Sequence, residues 1–201
     1  MARILHATTA EGPGVRTAVW FQGCSIRCTG CINPHLFSPR GGYIVDPVEV
    51  VNGARERDVE GLTLLGGEPF DQPGAGAALA LAAQRAGLGV ITFSGYVYED
   101  LEARMDAAAL LSGTDLLIDG PYRADQAEME RALVGSTNQR FVHLSDRYTD
   151  YDPAQAINRV ELRVGPDGSV EVAGFLDRTG LQELAVGLGS QRVWKRGSGS
   201  G

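Results

Sequence analysis

The chain has 201 residues, enough for one ordinary domain with a sizeable core. Its composition, 43% hydrophobic and 21% charged, is that of a globular protein and excludes a disordered, collagen-like or disulfide-rich class. The net charge of −7 disfavours binding to nucleic acid or to anionic membranes. No apolar run reaches the ~20 residues that span a bilayer, and the first ten residues lack a secretory signal, so we expect a cytoplasmic protein.

The predicted elements alternate between short apolar strands and helices. Strands are expected at residues 16–21, 61–65, 90–93 and 116–118, and helices at residues 46–57, 73–86 and 98–111. Strands separated by helices pair in parallel through right-handed crossovers, so their carboxyl ends lie at one edge of the sheet. This pattern predicts an α/β fold whose ligands bind at that edge.

The rhythm changes after Asp119. One more strand is expected at residues 139–144, and a hairpin is expected from strands at residues 159–164 and 169–173 around Gly165-Pro166-Asp167-Gly168. A short helix near residues 181–186 follows. We expect residues 1–196 to form a single domain, and the Gly/Ser segment 197–201 to be a flexible tail.

Three cysteines carry the strongest chemical signal. Cys24, Cys28 and Cys31 form a C-x3-C-x2-C pattern on the loop that follows the first predicted strand. Three thiolates on one loop can bind one cuboidal iron–sulfur cluster, and the missing fourth cysteine leaves one iron open. The alternatives are structural zinc, completed by His35, and unligated cysteines.

A second motif, Gly66-Gly67-Glu68-Pro69, directly follows the strand predicted at residues 61–65. The two glycines allow a ligand to approach the backbone, and the carboxylate of Glu68 can bind a cation. Four residues alone are more typical of a turn, but here the motif lies at the end of a strand next to the one that leads into the cysteine loop.

The two motifs, in this order, resemble those of the radical S-adenosylmethionine superfamily. Within it, the stretches at residues 11–16, 21–24, 28–34, 119–122 and 135–140 resemble the activating proteins of anaerobic ribonucleoside-triphosphate reductase, a group of glycyl-radical enzyme activases. The resemblance implies a truncated (β/α)6-type partial barrel of parallel strands, to which the C-terminal hairpin is added.

The resemblance also implies roles for individual residues. Cys24, Cys28 and Cys31 would hold three irons of a [4Fe-4S] cluster, and the open iron would chelate S-adenosylmethionine. Glu68 would accept a hydrogen bond from the amino group of that cofactor, whose path Gly66 and Gly67 would line. Thr92 and Ser94, at the end of the next strand, could bond the carboxylate or the ribose of the cofactor. Asp119 could bind another of its polar edges.

The implied activity is reductive cleavage of S-adenosylmethionine to a 5′-deoxyadenosyl radical, which would generate a glycyl radical on a partner enzyme such as anaerobic ribonucleotide reductase. A donor such as flavodoxin or ferredoxin would supply the electron. Two alternatives stay open: a radical enzyme that modifies a peptide or a small metabolite, and a zinc-binding interaction module. Three possibilities stay open for residues 138–140: they order the sheet edge, contact a partner or form a solvated loop. His6, His35 and His143 have no evident acid–base companion.

Overall fold

The computed structural model describes residues 1–175 and 178–187. One six-stranded sheet organises the molecule, with its strands side by side in chain order. The strands are β1 (Arg3–Thr8), β2 (Arg16–Phe21), β3 (Gly61–Gly66), β4 (Gly89–Phe93), β5 (Leu116–Asp119) and β6 (Arg140–His143). The central strands β2 to β5 are parallel, whereas β1 and β6 are antiparallel to their neighbours. The prediction of an α/β fold is confirmed, and the expectation of parallel strands holds for the central four.

Helices connect the parallel strands. They are α1 (Pro47–Arg55), α2 (Pro73–Arg85), α3 (Tyr98–Glu102) and α4 (Ala108–Ser112). Asp46 caps α1 as predicted, since its carboxylate accepts a hydrogen bond from the backbone N–H of Val48 at 2.8 Å. The single helix expected at residues 98–111 is wrong. The chain turns between α3 and α4, where the guanidinium of Arg104 is bonded to Asp106 and to the carbonyl of Phe70.

The largest core fills the space between the sheet and its helices, and the opposite face of the sheet carries two smaller clusters. Alternation along each strand assigns its side chains: Val90 and Leu117 pack on the helix face, and Ile91 and Ile118 on the other. Segments from the second half of the chain cover that other face. Ala173 packs among residues of β1, β2 and β3, and the ring of Phe175 lies 5.9 Å from that of Phe93.

A separate antiparallel hairpin is formed by β7 (Val160–Val164) and β8 (Val170–Gly174), followed by α5 (Arg178–Gly187). The predicted hairpin and C-terminal helix are therefore confirmed, and the expected tail at residues 197–201 lies outside the described residues. The hairpin contacts β1 through polar groups: Glu161 accepts from the hydroxyl of Thr8 at 2.7 Å, and Arg163 donates to the carbonyls of His6 and Ala7 at 2.8 Å each. No helix among the residues described here is long and apolar enough to cross a bilayer.

Candidate metal centre

The carboxyl ends of the four parallel strands present the predicted motifs side by side. The cysteine loop follows β2, and Gly67-Glu68 follows β3. Ser94 follows β4, and Asp119 ends β5. Because neighbouring parallel strands end at the same edge of a sheet, motifs that are far apart in the chain become neighbours in space.

Backbone hydrogen bonds join the cysteine loop to the glycine motif. The N–H of Gly67 donates to the carbonyl of Phe21 at 2.9 Å, and the N–H of Glu68 donates to that of Gly23 at the same distance. The return arm of the loop is also fixed, since Gly23 donates to Leu36 at 2.9 Å. The base of the loop is thus an extension of the sheet, and the first cysteine starts from a fixed position.

The three cysteines are unpaired and partly buried. Two left-handed residues, Arg27 with φ 53° and Gly30 with φ 81°, turn the chain between them. The N–H of Cys31 donates to the carbonyl of Cys28 at 3.1 Å, which closes the second turn. The loop therefore coils on itself and keeps the three thiols on one short segment.

Partial burial affects the thiols of Cys24 and Cys31. Burial raises the pKa of Cys24, although the backbone N–H groups of Arg27 and Ile26 partly offset this by bonding to its sulfur. Burial also raises the pKa of Cys31, and the neighbouring thiolates of Cys28 and Cys24 raise it further. A cationic group that binds all three sulfurs would remove this repulsion. Three thiols on one short segment, with backbone N–H groups bonded to the sulfurs of Cys24 and Cys31, suit a [4Fe-4S] cluster with one open iron.

The zinc alternative receives no support from the geometry. His35 is exposed, on a short 3₁₀ helix, Pro34–Leu36. In the part of the chain that the structure describes, no three or more His, Cys, Asp and Glu side chains are arranged to hold one metal ion. A zinc ion needs every ligand atom within about 2.3 Å of one point, whereas the cysteines of a cubane each bind a different iron.

Glu68 lies at the centre of the strand-end contacts, almost fully buried. Its Oε1 accepts from the N–H of Phe70 at 2.9 Å and from the hydroxyl of Ser94 at 3.0 Å, and its Oε2 accepts from the N–H of Gly95 at 2.8 Å. Burial raises the pKa of Glu68 to about 7, against the opposing effect of these donors. A carboxylate offers about four acceptor positions, and donors from the described residues use three of them, which leaves one on Oε2.

The structure brings Ser94 together with Glu68 but not Thr92 or Asp119. Thr92 pairs with Leu64 and Leu117 on the neighbouring strands, both in the helix-facing core, so its side chain faces the helices. Its hydroxyl lies 2.8 Å from that of Thr114. Asp119, two residues after Leu117, faces the same way by strand alternation. A contact of either side chain with a cofactor has no geometric support here.

The carboxylate of Asp119 is occupied by protein groups. It accepts from the backbone N–H of Tyr98 at 2.6 Å and forms an ion pair with Arg140, which also bonds to Glu99. Arg140 therefore orders the sheet edge, one of the three possibilities left open for residues 138–140. Asn138 acts similarly, since its Nδ2 donates to the carbonyl of Pro121 at 2.8 Å.

One group of polar residues escaped the sequence analysis. Asp71 and Tyr96 bond to each other and to Ser25 of the cysteine loop, although the three residues follow three different strands. The signal available in the sequence was the position of Asp71, three residues after Glu68 in the same motif segment. Nothing in the sequence pairs it with Ser25, which lies 46 residues away.

Comparison with known proteins agrees with this geometry. Residues 10–142 match the family model described as "4Fe-4S single cluster domain". The chain belongs to this family. The matched region includes the cysteine loop, Glu68 and Asp119, which extends the similarity from the motifs to the whole parallel sheet.

Individual relatives of the chain are activating proteins of two enzymes. The chain is 29% identical over 139 residues to the anaerobic ribonucleoside-triphosphate reductase-activating protein of Haemophilus influenzae, covering 64% of this chain and 88% of that protein. It is 27% identical over 157 residues to the protein of that name from Enterobacteria phage T4, covering 75% and 97%. A pyruvate formate-lyase-activating enzyme from Clostridium pasteurianum is 38% identical over 69 residues, covering 31% of this chain and 29% of that enzyme.

These findings confirm the resemblance drawn from the motifs. The chain is a radical S-adenosylmethionine enzyme related to glycyl-radical enzyme activases, and its cofactors are a [4Fe-4S] cluster and S-adenosylmethionine.

Proposed function

We propose that this protein activates a glycyl-radical enzyme by reductive cleavage of S-adenosylmethionine. The observation that carries the proposal is the direct attachment of the cysteine loop to the Gly67-Glu68 segment at neighbouring strand ends. A reduced [4Fe-4S] cluster held by the three cysteines would supply one electron for the cleavage of S-adenosylmethionine to methionine and a 5′-deoxyadenosyl radical. We also propose that the six-stranded sheet, whose four central strands are parallel, forms part of a partial barrel.

The chain's own residues have three tasks in this proposal. Cys24, Cys28 and Cys31 bind three irons and leave the fourth open. Gly66 and Gly67 line the path of the cofactor's amino group, and the open acceptor position of Glu68 receives it. Ser94 holds the carboxylate of Glu68 in place, so we assign it a positioning role. Fixing reactants and excluding water are the protein's contributions, because the cofactor does the bond breaking.

We propose anaerobic ribonucleotide reductase as the partner. The alignments with two activating proteins of that reductase cover 64% and 75% of this chain, whereas the alignment with the pyruvate formate-lyase-activating enzyme covers 31%. An open depression beside the cysteine loop, lined by Thr29 and residues 122–125, offers a place for a protein segment to approach. The electron donor, flavodoxin or ferredoxin, and the cytoplasmic location stay predictions.

Electron paramagnetic resonance tests the proposal. The reconstituted protein is mixed anaerobically with a reductase, S-adenosylmethionine and a reductant, and a glycine-centred doublet is expected on the reductase. Cys28→Ala should lose the cluster, cofactor cleavage and the doublet together, because each cysteine holds one iron. A matched control is Ser112→Ala, an exposed change at the end of α4. Cofactor cleavage without a doublet on reductase or formate-lyase partners would contradict the activase assignment and favour a peptide or metabolite substrate.

A further inference from the structure

The turn between the first two cysteines is attached to the sheet by Ser25. Its backbone N–H donates to Oδ2 of Asp71 at 2.6 Å, and its hydroxyl donates to Oδ1 at 2.9 Å. The hydroxyl of Tyr96 also donates to Oδ1, at 2.8 Å, and lies 3.0 Å from the hydroxyl of Ser25. Three donors from two strand ends therefore converge on one carboxylate from a third.

The next residue of the turn is fixed by packing. A Cβ atom at Gly95 would lie 2.7 Å from Cδ1 of Ile26, so the side chain of Ile26 rests directly on the backbone that follows β4. The polar and apolar contacts thus fix consecutive residues, Ser25 and Ile26, against the segment 95–96. Both residues lie between Cys24 and Cys28.

The carboxylate is itself held rigidly. Asp71 ends a short 3₁₀ helix, Pro69–Asp71, that directly follows Glu68, and its N–H donates to the carbonyl of Glu68 at 3.2 Å. Arg104 supports the same helix, since it donates to the carbonyl of Phe70 at 2.8 Å and its guanidinium lies 5.2 Å from the ring centre of Tyr96. The contacts of Ser25 therefore end on a supported element.

We propose that Asp71 is a positioning residue that, together with Tyr96, sets the shape of the turn from Cys24 to Cys28 before the cluster binds. The inference rests on the proposed function, because it assigns this network to cluster binding. It also joins two parts of the site: Asp71 and Glu68 lie three residues apart, so one segment positions both the cysteine turn and the carboxylate expected to meet the cofactor.

The chemistry requires a carboxylate at this position. An asparagine has one acceptor oxygen, and its amide N–H₂ would face donors instead of accepting from them. Asp71→Asn therefore removes at least one charge-assisted bond and leaves a donor without a partner, at nearly unchanged volume. Tyr96→Phe is the milder change, because it removes a single hydroxyl.

Hydrogen exchange in the apoprotein tests the positioning itself. We expect exchange of the peptide covering residues 24–28 to be about tenfold faster in Asp71→Asn, and faster to a smaller degree in Tyr96→Phe. Alkylation of Cys24 should accelerate in parallel. Tyr98→Phe is the matched control, since its hydroxyl bonds to Glu102 on the exposed side of α3. Wild-type exchange in both Asp71→Asn and Tyr96→Phe would overturn the proposal.

Anaerobic reconstitution tests the connection to the cluster. Asp71→Asn should assemble its cluster more slowly than the wild type and give an altered electron paramagnetic resonance spectrum after reduction. If Asp71→Asn exchanges faster but assembles its cluster at the wild-type rate and gives the wild-type spectrum, Asp71 has only a structural role and the proposal is overturned. Because exchange is measured without cluster or partner, it is independent of the activase assignment, which fails instead if the wild-type protein takes up no iron.

Discussion

Gly66 and Gly67 are required by the packing of the strand ends as well as by the proposed ligand path. A Cβ atom at Gly67 would lie 2.1 Å from the carbonyl oxygen of Gly23, at the base of the cysteine loop. Gly66 has φ 102°, and a Cβ atom there would lie 2.7 Å from Cα of Trp20. The glycines therefore let β3 approach β2 and its loop closely enough for the backbone bonds that join the two motifs.

Gly67→Ala should consequently disturb the cysteine loop. The backbone must shift to remove the contact with Gly23, so we expect a loss of about 1–3 kcal/mol in the free energy of unfolding, measured by urea denaturation. Gly74→Ala is the control, because among the described residues no atom beyond its own helical turn lies within 4 Å of the methyl group added in α2. It should leave stability unchanged or raise it by up to about 1 kcal/mol. Equal stabilities of the two variants would contradict this interpretation.

The sequence revealed the chemistry of individual residues better than their orientation. The cysteine spacing and Gly66-Gly67-Glu68 were visible because the residues of each motif are close together in the chain. The directions of Thr92 and Asp119 were not, because one residue of uncertainty in a strand boundary moves a side chain to the opposite face. The contact of Asp71 with Ser25 depends on the order of the strands, which the residues themselves do not encode locally.

The hairpin of β7 and β8 contacts the body of the protein through a buried carboxylate. Glu11 is almost fully buried and accepts a hydrogen bond from the N–H of Gly174 at 2.6 Å. Burial raises the pKa of Glu11 to about 7, although Gly174 and Arg3 act in the opposite direction. The carboxyl group therefore changes its protonation near neutral pH at the place where the hairpin meets the sheet.

This carboxyl group should make stability depend on pH. Because its pKa is higher in the folded than in the unfolded protein, the folded protein binds more protons between pH 4.5 and 7. Its contribution to the free energy of unfolding is complete below that range and is lost as the pH rises through 7. Between pH 6 and pH 8 the loss should be about 1 kcal/mol.

Urea denaturation at the two pH values measures this loss. In Glu11→Gln the dependence should be weaker than in the wild type, because the side chain no longer titrates. Glu130→Gln, a change at an exposed carboxylate, should retain the wild-type dependence. The interpretation fails if Glu11→Gln and Glu130→Gln vary identically with pH.

Regular patterns made most elements predictable. The alternation of apolar and polar residues in β7 and β8 was sufficient to predict the hairpin. Asp46 as the N-cap, followed by Pro47, was sufficient to predict the start of α1. β1 was missed because its sequence, RILHAT, contains a central histidine and lacks a clear apolar alternation. The division between α3 and α4 was missed because it depends on the bond from Arg104 to Phe70, a contact between distant segments.

Arg16 links three of the four parallel strands at the end opposite the metal centre. Its guanidinium is fully buried and lies among β2, β3 and β4. It donates to the hydroxyl of Thr63 at 2.7 Å and to the carbonyls of Leu62 and Gly89 at 2.6 and 3.2 Å. The hydroxyl of Tyr148 accepts a further bond at 2.8 Å. One side chain thus bonds three strands and the segment beyond β6.

Arg16→Ala should destabilise the entire domain. It leaves several buried acceptors without donors and opens a cavity, so we expect a loss of about 3–5 kcal/mol. In a domain of this size that lowers the Tm by about 10 °C. Tyr148→Phe removes one of the bonds and should cost about 1 kcal/mol. Calorimetry compares the variants, and a Tm for Arg16→Ala within a few degrees of Tyr148→Phe would refute the role assigned to the arginine.

The strand order has a consequence for biosynthesis. Each strand of the sheet pairs with the strand that precedes it in the chain, so a nascent polypeptide can add one strand after another as it leaves the ribosome. The residues that hold Ser25 and Ile26, namely Asp71, Gly95 and Tyr96, all precede β5 in the chain. The turn from Cys24 to Cys28 can therefore take shape while translation continues, before the hairpin exists to cover the sheet.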